Sequence, residues 1–418
     1  MRNFIYCFCL ILLGFPLFSQ ETTVKQIDLL DVRRELFQTR HRLDTALVND
    51  SNLLISVINH PVLKRDSIKM IPYKLYPSLA PVPGYNIQNG LLFIVATNFS
   101  FLTGKQSTTN VSAISFNPDY SISYHQVMLP LVFNIWSKDN KINLQGDWRY
   151  YYYPTNTYGL GNNSSLSNWD LINYSYIRFY QFGLKQLDKS DFYAGVGYNY
   201  DYHFDISKIA TGGSGTDFGL YNGNTTHTAS SGPTLNLLYD SRKNPNNPIE
   251  TAFYSNLVYR SNFTFLGSDQ NWQSVYNDNR AYIKLSKNSD RMLTFWNLNW
   301  FTWGGKVPYF DLPSTGWDSY SNTGRGYIQG RLRGPAMIYL ESEYRFPITK
   351  NGLFGGVLFV NGESVSELAR YNFDGFLPGC GFGVRIKVNK FSGVNFAIDY
   401  GFGTQGSNGP AFNVSEVF

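Results

Sequence analysis

The 418-residue chain has little cysteine and little charge, and past its first twenty residues it has no long apolar run. Two of its three cysteines, Cys7 and Cys9, fall in the opening stretch MRNFIYCFCLILLGFPLFSQ. One early cation, Arg2, precedes an apolar run there, and the run ends at Ser19 and Gln20. That is the pattern of a secretory signal peptide over residues 1–20. Neither cysteine follows the small residues that precede a lipidated cysteine, which argues against a lipoprotein. Loss of the signal leaves Cys380 alone, so no internal disulfide can form. A formal charge of only +5 lacks the concentrated basic field of a nucleic-acid binder, and no nucleic acid is expected as a partner. After the signal, no segment is long and apolar enough for a spanning helix. Nucleophile elbows and Cys/His metal motifs are missing, so no catalytic residue, metal or cofactor is expected. The chain does not read as an enzyme.

Aromatic residues are what is abundant. They make up 17% of the chain against 16% charged residues, and the charged share lies below the roughly 25% of soluble domains. A secreted, charge-poor, aromatic-rich chain without spanning helices points to an all-β transmembrane antiparallel barrel. Residues 21–69 differ. Leu29, Val32, Leu36, Leu43 and Leu47 share one helical face amid charges, a short periplasmic or pore-lying plug helix. The barrel is expected over 70–418.

There the period is two. In FYAGVGYNYDYHFDI (192–206), Phe192 through Ile206 alternate with Tyr193, Asn199, Asp201, His203 and Asp205. A metal site at His203 is conceivable, but a hydrated lumen wall accounts for the same pattern. Alternation recurs at 141–153, 336–347, 379–389 and 393–402, which places Arg149, Glu341, Glu343, Arg345, Arg385, Lys387 and Asp399 on the inward face. Short turns at 138–140, 188–190, 288–290, 350–352 and 390–393 alternate with long Gly/Asn/Ser connections. Parity then demands an even count of about sixteen strands, with the first inside 70–87. The chain ends in AFNVSEVF, where Phe412, Val414 and Phe418 fall on one face, as in a C-terminal assembly signal; Glu416 interrupts that face.

One loop stands apart. GRGYIQGRLRG (324–334) holds four glycines and three arginines. Its glycines do not open a helix after a strand, which rules out a phosphate cradle. With the strand after it, GRGYIQGRLRGPAMIYLESEYRFP resembles a region of the BamA/TamA-type outer-membrane barrel superfamily, also called the bacterial surface antigen family. The loop tip would be Arg325, Gly326 and Tyr327, and the strand motif Glu343, Tyr344, Arg345, Phe346 and Pro347. YDSRKNPNNPIETAF (239–253) is similar to the family's periplasmic turn, through Asp240, Arg242, Asn244, Pro245 and Pro248. The ending RIKVNKFSGVNFAIDYGFG is a third match.

The resemblance implies a loop folded back into the lumen, with Arg325 paired to an inward acid: Glu363, Glu341 or Glu343. A buried guanidinium needs hydrogen-bonded partners, and its fork suits bidentate bonds to a carboxylate. The segment 21–69 is too short for the family's POTRA domains, so the resemblance is to a member lacking them. It implies a place in the outer membrane of a Gram-negative bacterium, in contact with its lipid, and assistance to protein insertion or translocation. Client outer-membrane or surface proteins and periplasmic or lipoprotein partners would come with that role. The alternatives are a passive pore and a structural subunit of an envelope complex.

Overall fold

The computed structural model describes residues 70–86, 90–287, 289–319, 321–368, 372–388 and 393–418. The expected signal peptide and helix lie outside these residues. Among the described residues, eighteen strand segments form one sheet. They are β1 (Tyr76–Asn86), β2 (Gly90–Phe101), β3 (Ser112–Phe116), β4 (Asp119–Ser121), β5 (Val127–Trp136), β6 (Ile142–Tyr152), β7 (Thr155–Thr157), β8 (Trp169–Gln186) and β9 (Phe192–Gly212). The rest are β10 (Thr228–Asp240), β11 (Ala252–Asn262), β12 (Trp272–Lys284), β13 (Met292–Trp303), β14 (Ala336–Pro347), β15 (Phe354–Val365), β16 (Leu377–Lys387), β17 (Asn395–Phe402) and β18 (Asn408–Val414).

Every ladder is antiparallel and joins neighbours along the chain. β3 and β4 both lie between β2 and β5, so they are one crossing, broken at Asn117 and Pro118. β6 and β7 both pair with β8 and make another. The segments therefore amount to sixteen crossings, and the first is β1 despite its three prolines. The sheet curls until β1 lies beside β18.

Burial is inverted relative to a soluble protein. Leu235, Leu237, Leu340, Leu358, Val360 and Phe382 are exposed, whereas Asp278, Arg280, Glu341, Glu343, Arg385 and Asp399 are buried. Alternation puts the first set on the outer face and the second in the lumen. That is the stable arrangement when the outer solvent is hydrocarbon. Among the described residues no helix is long and apolar enough to cross a membrane.

The alternation breaks at two places. Asp205 sits at φ 55°, near a shift in the β8–β9 register. The extra residue turns Asp205 outward and Ile206 inward, opposite to strict alternation. The chain also leaves the sheet at Ser415 (φ 84°), so Phe418 does not share a face with Phe412 and Val414. It is buried in the lumen instead and stacks on Trp296, with ring centroids 5.3 Å apart.

Candidate functional site

The connection between β13 and β14 fills part of the lumen. Its residues from Val307 to Gly334 are mostly buried. It carries its own inner pairing: Gly330 N–H donates to Thr315 O at 2.8 Å, Thr315 N–H to Leu332 O at 3.1 Å, and Gly334 N–H to Pro313 O at 3.1 Å. Asp318 Oδ1 accepts from Asn322 N–H at 2.9 Å, Thr323 N–H at 2.8 Å and the Thr323 hydroxyl at 2.9 Å. A loop so bonded internally docks as a preformed body. Asp318→Ala is expected to cost about 1–2 kcal/mol, as loss of a capping carboxylate does. Hydrogen exchange over 316–324 would rise while the rest of the barrel stayed protected; unchanged exchange there would count against the assignment.

Arg325 is a buried charge of this loop. Its Nη2 donates to Glu341 and, at 2.5 Å, to Glu343 Oε2; its Nη1 donates to Asp399 Oδ2 at 2.8 Å. The guanidinium lies 3.7 Å over the Phe359 ring. Two further arginines hold the same acids from the wall. Arg345 Nε donates to Glu343 Oε1 at 2.5 Å. Arg385 donates to Asp399 Oδ1 at 2.6 Å and to Glu416 Oε2 at 2.7 Å. Three cations thus interlock with four carboxylates from β14, β17 and the C-terminal segment. Burial of so many charges is stable only because each has a charged, hydrogen-bonded neighbour.

Of the three acids considered for Arg325, Glu341 and Glu343 bond to it. Glu363 does not. It accepts from the Thr315 hydroxyl at 3.1 Å, and its other oxygen has no hydrogen-bond partner among the described residues. Asp399 and Glu416 complete the network instead. Asp399 was legible as an inward acid, but its pairing spans 74 residues and leaves no local signal. Glu416 was legible as a charge interrupting an apolar face. It has turned inward with the chain.

Glycine makes this docking possible at one point above all. Gly326 has φ 101°, and a Cβ there would stand 2.9 Å from the Phe402 carbonyl carbon. Opposite it, a Cβ on Gly401 would meet the Gly326 nitrogen at 2.4 Å. The loop tip therefore lies backbone to backbone on β17. Tyr327 extends the contact, donating to Pro378 O at 2.6 Å. Asn361 donates to Arg325 O at 2.9 Å. Tyr344 and Phe346 stack on each other at 5.4 Å, and Pro347 ends β14.

Among the described residues, the loop's other arginines form no ion pair. Arg331 donates to Ser164 and, at 2.5 Å, to Gln405 Oε1. Arg333 donates to Tyr309 O at 3.0 Å and lies over the Tyr309 ring. Burial lowers the Arg333 pKa from its usual range. It pushes the Asp311 carboxyl the other way, well above the ordinary carboxylate range, and the nearby Asp201 carboxylate adds to that.

A second network lies on the other wall. Asp201 accepts from Tyr180 at 2.7 Å and Arg260 at 2.5 Å, and Asp147 pairs with Arg149 at 2.6 Å and Arg178 at 3.2 Å. His203 stacks on Tyr176 at 4.3 Å, and Asp205 faces away. Among the described residues no group of three or more His, Cys, Asp or Glu could hold a metal ion.

The turn after β10 is also charge-locked. Arg242 donates twice to Asp240, at 2.9 Å each, and lies 4.0 Å over the Tyr254 ring. Asn244 Oδ1 accepts from Asn246 N–H at 3.0 Å. Asn246 O in turn accepts from Glu416 N–H at 3.2 Å, joining this turn to the C-terminal segment. Pro245 borders the lumen cavity, and Pro248 lies in the same turn.

Between the loop and the wall remains a cavity of about 530 Å³. The arginine networks border it, and so does the wall from β2 to β5, through Leu92, Ile94, Ala113, Met128 and Val132 and through the polar Ser115, Asn117, Asp119 and Asn134. That wall adjoins the place where β1 meets β18. Among the described residues, no backbone ladder joins those two strands.

The sequence matches no protein-family model and no curated protein. Its fold does match solved structures. CdiB from Escherichia coli aligns with a TM-score of 0.51 at 10% identity, over 82% of this chain and 62% of that one. BamA from Haemophilus ducreyi lacking POTRA domains 1–3 aligns at 0.49 and 12% identity, over 84% and 76%. CdiB from Acinetobacter baumannii aligns at 0.47 and 11% identity, over 84% and 71%. At these identities the likeness is one of fold.

Proposed function

We propose that this chain, a barrel with the BamA and CdiB fold, works in the outer membrane of a Gram-negative bacterium by helping other proteins insert into it or cross it. The observation that carries the proposal is the β1–β18 seam, which no backbone ladder joins among the described residues. A seam without main-chain bonds parts more cheaply than any other pair of neighbours in the sheet, since each lost ladder bond costs about 0.5–1.5 kcal/mol. The wall behind it mixes apolar Leu92, Ile94, Met128 and Val132 with polar Ser115, Asn117 and Asn134, a surface that suits an amphipathic segment. The arginine-locked loop keeps the rest of the lumen filled while the seam works. No catalytic step is part of the proposal. The implied partners are lipid, client outer-membrane or surface proteins, and periplasmic or lipoprotein components that deliver them.

Depletion of the protein followed by quantitative outer-membrane proteomics tests this. The expected outcome is loss of a defined set of barrels or surface proteins at unchanged transcript levels. An unaltered proteome with shifted small-solute uptake would replace the proposal with a passive pore. Loss of a single envelope complex as a unit would make the chain a structural subunit of it.

A further inference from the structure

β1 reads YPSLAPVPGYN, and its three prolines, Pro77, Pro81 and Pro83, all fall on odd positions. The side of the strand they face is set by the hydrogen bonds around it. In an antiparallel pair, one residue's N–H and C=O point to the same side, and directly opposed residues point both toward each other or both away. Pro81 is opposite Val95. The Val95 N–H donates to Pro118 O at 3.0 Å, on the far side of β2. Val95 therefore points away from β1, and Pro81 points away from β2. Unbroken register carries the same direction to Pro77 (opposite Phe99) and Pro83 (opposite Phe93). Leu91 O likewise accepts from Ile122 N–H at 2.9 Å, on the same far side of β2. All three prolines thus present their missing N–H groups to the seam with β18.

The other edge repeats the pattern. Ser415 N–H donates to Asn395 O at 2.7 Å, and Ser407 O accepts from Gly403 N–H at 2.8 Å. Odd residues of β18 therefore face β17, and the even ones, Asn408, Pro410, Phe412 and Val414, face the seam. Pro410 removes a donor there. On β1 only Leu79 and Tyr85 keep a seam-facing N–H.

We propose that the β1–β18 seam is held unzipped by its own prolines: Pro77, Pro81 and Pro83 on one edge and Pro410 on the other. Proline cannot donate to a ladder, which confines it to strand edges and costs β1 nothing on its β2 side. A complete ladder across this seam is chemically unavailable, whatever the register. The seam opens without first breaking a zipper. This inference builds on the proposed function, but it is a statement about the seam and can fail separately.

The test is hydrogen exchange on the full-length protein in lipid nanodiscs, monitored over 74–86 and 403–418, with β12 and β13 as the internal standard. In the unmodified protein the seam-facing amides of Leu79, Phe412 and Val414 are expected to exchange about tenfold or more faster than β12 and β13 amides, the scale set by roughly one missing hydrogen bond each. In Pro81→Val/Pro83→Val/Pro410→Val, which restores three donors, that exchange slows. Protection equal to β12 and β13 without any substitution, or exchange unaltered by the triple substitution, overturns the proposal.

A second pair keeps the test decisive if the triple variant fails to fold. Leu79→Pro removes a seam-facing donor and should leave the gel mobility shift on heating unchanged. Ser78→Pro, one residue away, removes a donor facing β2 and should lower the temperature of that shift. Equal damage by both would refute the assigned parity. The triple variant also separates the two readings when expressed in depleted cells. If it zips the seam and still restores the outer-membrane proteome, the prolines act as inferred and the seam-centred assembly role fails. If exchange does not slow, the seam inference fails whatever the proteome does.

Discussion

Arg325→Ala will lower the temperature at which the folded barrel loses its compact gel mobility, and by more than any single surface substitution. The reason is what remains behind. Glu343 keeps Arg345, and Asp399 keeps Arg385. Glu341 keeps only the Tyr339 hydroxyl among its hydrogen-bond partners. Removing one partner from a buried ion pair typically costs about 3–5 kcal/mol, because the orphaned charge stays desolvated. The prediction has an internal control. Glu341→Gln in the Arg325→Ala background removes that orphan and should restore part of the loss, whereas the same change in the unmodified protein should destabilise it. Arg325→Lys should recover little, since an ammonium cannot reach carboxylates on β14 and β17 in one fork. An unmoved transition in Arg325→Ala would mean that the network adds nothing to the folded barrel.

Gly326→Val should expel the loop tip while leaving the strands paired. A β-branched residue at φ 101° is strained by about 1–3 kcal/mol before any contact is considered. Its Cβ would also stand 2.9 Å from the Phe402 carbonyl carbon and 3.0 Å from the Gly403 nitrogen, where main chain cannot yield. The neighbouring Arg325 is then drawn off its acids. Trypsin applied to intact cells should cleave within 325–333 in the variant and spare the unmodified loop. Because both substitutions undo one docking event, Gly326→Val combined with Arg325→Ala should be scarcely worse than the more damaging of the two alone. Full additivity would show that the tip and the guanidinium act independently.

The barrel was legible because one face of each strand had to satisfy lipid and the other a polar lumen. That demand writes an alternation into runs such as 141–153 and 336–347 that few other folds require. Legibility ended where one residue reversed the faces. Nothing at Asp205 or Ser415 announces a positive φ, and each sends the next residues to the opposite side. The acids on β14 lay near enough in the chain to be considered for Arg325. Asp399 did not, since it lies three strands away on β17 and only the curl of the sheet turns both β14 and β17 toward the loop. Glu363 fitted the composition of a partner, but its carboxylate bonds to Thr315. The prolines of β1 stand in 70–87, where the first strand was expected. Their shared direction became apparent only with the register, because parity says which residues share an edge and not which neighbour that edge meets.

The span of the loop's contacts has a consequence in time. Arg325 reaches Glu341 across 16 residues and Asp399 across 74, and Asn322 donates to Val417 O across 95. Closing longer loops costs more entropy, and contacts distant in sequence form late. During folding, the hairpin of β13 and β14 can form early and hold Arg325 near Glu341 and Glu343. Its remaining bonds must wait for β17 and the C-terminal segment. Seating of the arginine loop therefore comes at the end of folding, and a chain whose last strands are not yet in place carries a half-bonded cation in its lumen.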